Sequence, residues 1–318
     1  MTVQDLITAY GAYYLNSGQN INRILQLPFQ KLTTTANFTP LRIKETVYQL
    51  SQGSITSILQ PFQKKFTPAG ELGFAPNLIT LNHVKADIEL FPDDIEDSWL
   101  GFLGGLDTAA KREEWPLIRY AIEYYYLNKI NEDRENYAHY KGVYEAPADG
   151  VASVPLKSMD GIKKKIQDGI GKGINELVAI GVLAKETVFD QVEAAVDQIS
   201  NVYQTKPMGV FMSPQMARFY LRDKRAEKFF VDPKNIDTTI DFTPQYVVGL
   251  PSMIGTTDLF ITPKENLLHL TKREPATFDI QTVDRLVKFL MDWYEGIGFG
   301  LNQAVWTNVE APEPPVGG

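Results

Sequence analysis

Residues 246–267 read YVVGLPSMIGTTDLFITPKENL. Three short runs rich in β-branched and large apolar residues predict strands, at 246–248, 258–261 and 267–270. Gly249 and Pro251 predict a turn after the first run, and the segment 263–266 predicts a turn before the last. The C-terminal part of the chain is therefore expected to be rich in β-structure.

The β pattern continues towards the C-terminus. The segments 278–283 and 285–306 predict a final pair of β segments. Phe289, Met291 and Trp293 share one parity, so one face of the second segment is expected to be buried. It leads into the sequence GIGFGLNQAV at 296–305.

Helical patterns fill the middle of the chain. The strongest covers 107–140, where Ile118, Ile122 and Tyr126 belong to an apolar stripe. From Pro116 to Tyr140 such a helix would be roughly 37 Å long, which indicates a structural spine. After a loop at 147–155, further helices are predicted at 159–180, 188–199 and 213–225.

Residues 66–91 predict a long β-hairpin. His83 to Leu90 alternates strictly, with an apolar set on one face consisting of Val84, Ala86, Ile88 and Leu90. Because a two-stranded ribbon is marginal alone, this set is expected to pack against the spine helix of the same or a neighbouring subunit.

Residues 1–65 differ in composition from the rest. Six basic and two acidic residues give a net charge of +4, and many apolar residues, Phe29 and Phe38 among them, follow no helical period. The segment is too apolar for a disordered tail. It is expected to be an extended arm that lies on the rest of the fold or on a neighbour.

Composition excludes several classes. The 318 residues include 31 Lys+Arg, 39 Asp+Glu and no Cys, for a net charge of −8. Disulfides and thiolate chemistry are excluded, and the acidic balance argues against a dedicated nucleic-acid binder. The sequence shows neither an apolar stretch long enough to span a membrane nor the basic start of a secretory signal, so cytoplasmic synthesis is expected.

The search for catalytic patterns finds none. The sequence GIGKG at 169–173 lacks phosphate-loop spacing, and the acidic stretch 93–97 is interpreted as a loop with no second acidic cluster. His83, His139 and His269 are far apart in sequence and are expected to lie in three separate elements. No catalytic residue, metal site or cofactor is predicted, and the chain is not expected to be an enzyme.

The order of these elements resembles the Hong Kong 97-type fold of tailed-phage major capsid proteins. The most specific stretch is 246–267, where a strand, a Gly/Pro turn and a strand ending in Thr-Pro-Lys precede Asn-Leu; 279–306 is similar to the closing β segment of that family. By residue pattern the resemblance extends from about 207 to 308. It implies an α+β fold with an N-terminal arm, an extended β-hairpin loop, a long spine helix, and peripheral and axial domains.

The resemblance also implies a division of the chain. The arm would be 1–65, the extended loop 66–98, the peripheral domain 99–145 with 271–309, and the axial domain 146–270; 310–318 would be a mobile tail. Contacts between subunits would involve one set of apolar side chains: Val84, Ala86, Ile88, Leu90, Phe29 and Phe38.

The function implied is that of a virion protein that assembles, in the host cytoplasm, into hexamers and pentamers of an icosahedral shell around double-stranded DNA. Partners would be the portal, scaffolding or decoration proteins, and DNA through weak non-specific contact, with no membrane. One alternative is the shell of a bacterial encapsulin-type nanocompartment, which would enclose an enzyme cargo. An alternative from another class is a soluble acidic α+β enzyme.

Some members of this family crosslink an extended-loop lysine to an asparagine with the help of a glutamate. Lysines are present at 64, 65 and 85, with Asn302 and Glu295 as possible counterparts. No motif matches them, so the sequence leaves the crosslink open, together with the triangulation number, the host and any N-terminal processing.

Overall fold

The computed structural model describes residues 33–104, 116–227, 237–274, 276–283 and 286–311. Phe29 and most of the predicted C-terminal tail lie outside the described residues. Within them the chain is a mixed α+β protein with two five-stranded sheets and a separate two-stranded ribbon, which confirms the α+β class.

The first sheet is organised by one long strand near the C-terminus, β11 (Leu286–Phe299). Its first half lies between β10 (Thr277–Val283) and β4 (Asn82–Leu90), and its last residues pair with β9 (Leu267–Lys272). The remaining strand, β1 (Thr39–Ile43), runs parallel to β9. The alternation predicted from Phe289, Met291 and Trp293 is confirmed, since all three side chains are buried.

A long helix, α2, packs on this sheet. It covers 117–138 as two α-helical segments, Leu117–Tyr120 and Leu127–Asp133, each followed by a π-helical segment. At ~1.5 Å per residue it is roughly 33 Å long, so the predicted long helix is confirmed over these residues. The π-helical segments change which residues of the predicted apolar stripe are buried. Tyr126 is buried, whereas the neighbouring Tyr125 is half exposed.

The second sheet carries its own helices and its own core. Its strand order is β5-β12-β8-β6-β7, with β5 at Glu176–Leu177, β6 at Gly209–Met212, β7 at Tyr246–Gly249, β8 at Leu259–Thr262 and β12 at Trp306–Thr307. The helices around it are α3 (Ile162–Gly171), α4 (Val188–Asp197), α5 (Asn201–Gln204) and α6 (Pro214–Glu227). The strands predicted within 246–270 are confirmed, and the helix predicted over 159–180 ends earlier, at Gly171.

Two expectations about the N-terminal half are wrong. The hairpin predicted within 66–91 does not form: β3 (Leu72–Thr80) pairs with β2 (Val47–Ile55), and β4 belongs to the large sheet. Within the segment expected to be an arm, 39–43 and 47–55 are strands, and β1 lies on the chain's own sheet. The acidic stretch 93–97 is helical and belongs to α1 (Pro92–Gly104). Asp93 and Asp94 lie in its first turn, where negative charge stabilises the positive end of the helix dipole.

Candidate functional site

The two-stranded ribbon belongs to neither of the two five-stranded sheets. β2 and β3 pair over nine residues each, from Val47 opposite Thr80 to Ile55 opposite Leu72. At ~3.3 Å per residue the paired part is roughly 30 Å long. We call the loop that joins the two strands, residues 56–71, the ribbon tip.

The base of the ribbon is fixed to the large sheet. Ile79 is buried, and the side-chain amide of Asn77 donates to the Phe299 carbonyl at 2.6 Å. The close approach depends on a glycine of β11, because a Cβ on Gly298 would lie 2.8 Å from Ile79 Cδ1. The GIGFG sequence thus provides the flat strand surface on which the ribbon rests.

The far part of the ribbon exposes a set of large apolar side chains. Leu59, Phe62 and Phe66 are 94%, 92% and 89% exposed, respectively. Among the side chains that the structure describes, the exposed large apolar ones of the ribbon and its tip are Ile58, Leu59, Phe62, Phe66, Leu72, Phe74 and Leu78. Isolated exposed apolar residues are common, but so many within one protrusion indicate a surface that is covered by another molecule.

The predicted contact residues lie in several environments. Phe38 is only 4% exposed and packs in its own chain. Val84, Ala86 and Leu90 pack, partly buried, against a cluster that includes the long helix α2, while Ile88 is 44% exposed. Three positions of the apolar parity thus pack within their own chain, against a cluster formed by α2 and β11. Intersubunit contact through these residues stays a prediction.

A buried cluster of charged side chains connects α2 with β9 and β11. The Arg134 guanidinium contacts the Glu295 carboxylate through two nitrogens, with Nε to Oε2 at 3.0 Å. His269 Nε2 and His139 Nε2 lie 2.7 and 3.2 Å from Glu295 Oε1. The indole of Trp293 donates to Oε2 at 2.9 Å.

This cluster corrects the expectation that the histidines are far apart. His139 and His269 are in different elements, yet their ring centroids are 6.4 Å apart. Sequence reasoning missed the cluster because its members are separated by up to 161 positions. One signal was present: Glu295 shares the buried parity of Phe289, Met291 and Trp293, and a carboxylate at such a position requires a partner.

Burial and charge act against each other in this cluster. Burial raises the pKa of Glu295, but Arg134 and the two histidines outweigh it and hold that pKa well below its usual range. Burial lowers the pKa of His269 more than Glu295 raises it. Burial likewise raises the pKa of Glu135, and the nearby His139 together with the hydrogen bonds from Thr34 reverses this to a net lowering. The two carboxylates are therefore ionised and His269 is neutral near pH 7.

Three of the residues considered for a crosslink, Glu295, Asn302 and Lys85, have partners in their own chain, whereas Lys64 and Lys65 are exposed in the ribbon tip. Glu295 is fully buried beneath Arg134 and leaves no surface for an incoming lysine. The Asn302 side chain donates to Asn77 Oδ1 at 3.2 Å, and Lys85 forms an exposed ion pair with Asp87 at 2.8 Å.

Two further surveys cover the described residues only. In them no group of three or more histidine, aspartate or glutamate side chains is placed to hold a metal ion. None of the helices there combines the length and apolar character needed to cross a bilayer.

Comparison with known proteins identifies the fold. No protein-family model and no curated protein sequence matches the chain. Among solved structures, a chain of the satellite phage P4 procapsid with its size determination (Sid) protein is similar, with 15% identity, a TM-score of 0.57, and coverage of 98% of this chain and 99% of that one. The capsid of an empty GTA particle gives 10% identity, a TM-score of 0.52 and coverage of 88% and 90%. The protein has the α+β fold of these capsid chains.

Proposed function

We propose that this protein is the subunit of an icosahedral capsid shell of the tailed-phage type. The observation that carries the proposal is the long ribbon with an apolar tip, which extends from a fold shared with procapsid and capsid chains. Identical chains in a head-to-tail arrangement form closed rings or lattices. A ribbon that covers part of the next subunit would give each such contact a large apolar area without a large core in each chain.

The division into capsid domains belongs to the same proposal. We propose the extended loop at 47–80 rather than at the expected 66–98, and the pairing of the strands at 47–55 and 72–80 supports this assignment. The N-terminal arm then leads into β1. The long helix and the strands β10 and β11 of the first sheet fall within the peripheral domain, 99–145 with 271–309, and most of the second sheet falls within the axial domain, 146–270.

The proposed binding partners follow from the proposed role as a capsid-shell subunit. The subunit would contact itself in hexamers and pentamers, together with portal and scaffolding or decoration proteins, and would assemble in the host cytoplasm into the virion capsid. A net charge of −8 suits a wall that must not bind packaged DNA tightly. The role is structural rather than enzymatic.

The ribbon tip gives a direct test. We expect the double variant Phe62→Ser, Phe66→Ser to fold like the parent, because both side chains are exposed, and to lose most of the rapidly sedimenting particles. Val202→Ser removes a 71% exposed apolar side chain from α5 and serves as the control. Sedimentation and electron microscopy measure particle yield, and circular dichroism measures folding.

Two outcomes would count against the proposal. If the parent chain elutes as a monomer under all assembly conditions, it is not a shell subunit, and the acidic-enzyme alternative gains support. If the double variant and the Val202→Ser control give equal particle yields, the ribbon tip is not the assembly contact. Nucleic acid or an enzyme inside the particles would separate a viral shell from a nanocompartment.

A further inference from the structure

Helix α1 packs on the fold with one face and exposes another. Trp99 is partly buried against the cluster formed by α2 and β11, and the Phe102 ring contacts two tyrosine rings of α2. Asp93, Glu96 and Leu100 are spaced three and four residues apart, so they share a different stripe of the helix. All three are exposed. The outer stripe of α1 therefore combines two carboxylates with an apolar side chain.

The acidic character of α1 exceeds what its own N-terminus requires. Its 13 residues include four acidic and no basic ones. The helix dipole accounts for Asp93 and Asp94, which lie in the first turn, but its effect falls off beyond that turn. It also does not explain why Phe91, just before the helix, and Leu100 are each 51% exposed. Exposed apolar side chains beside an acidic run indicate a surface for a partner that is both apolar and basic.

The ribbon tip has this complementary character. Lys64 and Lys65 lie between Phe62 and Phe66 in sequence, and all four side chains are exposed. These lysines are the only basic residues in the sequence of the ribbon and its tip. The single acidic residue there, Glu71, comes directly before β3. Opposite charges and apolar side chains thus occur on two separate surfaces of the same chain.

The tip and α1 stand at the two ends of one continuous chain segment. From the tip the chain follows β3 to the base of the ribbon, passes Leu81 and follows β4 to α1. Each of these strands is roughly 30 Å long. Because Phe62 is 92% exposed, α1 of the same chain does not cover the tip. A contact between the two surfaces therefore requires two chains, and because the surfaces differ it is head-to-tail, as rings and lattices need.

We propose that the ribbon tip of one subunit docks on α1 of the next. The two lysines of the tip lie opposite the carboxylates of Asp93 and Glu96, and its phenylalanines cover Leu100. The inference rests on the proposed shell function and names the surface that receives the ribbon. The apolar side chains supply the buried area, and the charges determine which surface the tip accepts and in which register.

An exchange of charges between the two surfaces tests the proposal. The tip variant is Lys64→Glu, Lys65→Glu, and the helix variant is Asp93→Lys, Glu96→Lys. Each places like charges opposite one another, so we expect each to reduce the yield of sedimenting particles about tenfold or more. The exchange chain, with all four substitutions, restores opposite charges and should recover most of the parent yield. Circular dichroism checks that these exposed positions tolerate the changes.

A matched combination separates the contact from the net charge. Glu145→Lys with Asp149→Lys makes the same change in charge at two exposed positions of the loop that follows α2. Added to the tip variant, this pair gives the net charge of the exchange chain but leaves α1 acidic. We expect this combination to assemble as poorly as the tip variant alone.

A disulfide between subunits tests the contact directly, because the chain has no cysteine of its own. Lys64→Cys with Glu96→Cys in one chain places one thiol on each surface. In oxidised particles a head-to-tail contact then links many chains, so a non-reducing gel should show a ladder that extends beyond the dimer. Lys64→Cys with Asp149→Cys is the matched control and should show no such ladder.

The proposal is overturned if the exchange chain yields no more particles than the matched combination. It is also overturned if the ladder is absent from assembled particles, or if the helix variant assembles as well as the parent. In each of these cases the parent still forms particles, so the shell proposal stands and the tip docks elsewhere. If the parent forms no particles, the shell proposal fails and this inference fails with it.

Discussion

Gly296 of β11 lies directly against the backbone of Thr80: a Cβ added to Gly296 would be 2.7 Å from the Thr80 carbonyl oxygen and 3.3 Å from Leu81 Cα. Thr80 ends β3 and Leu81 joins it to β4, so this contact is at the point where the ribbon leaves the sheet. A backbone oxygen cannot move aside as the end of a flexible side chain can.

Gly296→Ala is therefore expected to destabilise the protein by about 1–3 kcal/mol, because the base of the ribbon must shift to admit one methyl group. Gly101→Ala in α1 is the control, since a Cβ there meets nothing within 4 Å and alanine favours a helix. Urea unfolding of both variants measures the difference. Equal stability of the two would mean that the ribbon base moves freely.

Glu295→Gln is expected to cost about 3–5 kcal/mol, because it leaves the buried Arg134 without its counter-charge. Glu274→Gln is the matched control, since Glu274 forms an exposed ion pair with Lys272 and its loss should change stability little. Thermal unfolding at one protein concentration compares them. A loss below about 1 kcal/mol at Glu295 would show that water or another anion reaches Arg134.

Stability should decrease as the pH falls below the ordinary histidine pKa of about 6.5. The folded state lowers the pKa of His269, so the unfolded chain binds a proton at this residue that the folded chain does not. The loss is at most about 1.4 kcal/mol per pH unit and continues down to the lowered pKa. Urea unfolding at pH 7.5, 6.5 and 5.5 should show it, and His269→Gln should flatten the profile. An unchanged slope in that variant would assign the dependence elsewhere.

Ile88→Asp is expected to leave the subunit folded and to reduce particle yield. Ile88 is 44% exposed on a parity whose other members pack on their own chain, so an aspartate there remains in contact with water in the single subunit. A neighbour that covers the position would bury the charge. Asp87→Asn, on the opposite face, should assemble normally. Sedimentation compares the two, and equal yields would remove Ile88 from the list of subunit contacts.

The sequence predicted the positions of the strands better than the pairing between them. The alternation from Val84 to Leu90 correctly predicted a strand and its partly buried face, with the exception of the exposed Ile88, because side-chain parity is a local property. It did not reveal that β4 pairs with β11, since pairing depends on chain segments about 200 residues away. The hairpin was consequently expected within 66–91, whereas the strands that pair are β2 and β3.

The charged cluster and the ribbon could not be predicted either, because both depend on contacts that the local sequence does not determine. His139 and His269 meet only because α2 crosses β9, which no spacing in the sequence encodes. For the ribbon, residues 47–55 are predicted as part of the arm because the segment 1–65 follows no helical period, although Val47 and Tyr48 favour strands. The exposed phenylalanines of the tip could have been noticed, but exposure itself comes from the fold.

The central position of β11 has a consequence for synthesis. This strand holds β4, β9 and β10 in place, and β4 must wait for it because it is made about 200 residues later. Such non-local pairing slows folding. A nascent chain that has not yet reached β11 therefore lacks the finished platform on which its ribbon rests, and a truncated product that stops before β11 lacks it permanently. Synthesis of β11 is thus required before the ribbon can be held in its final position.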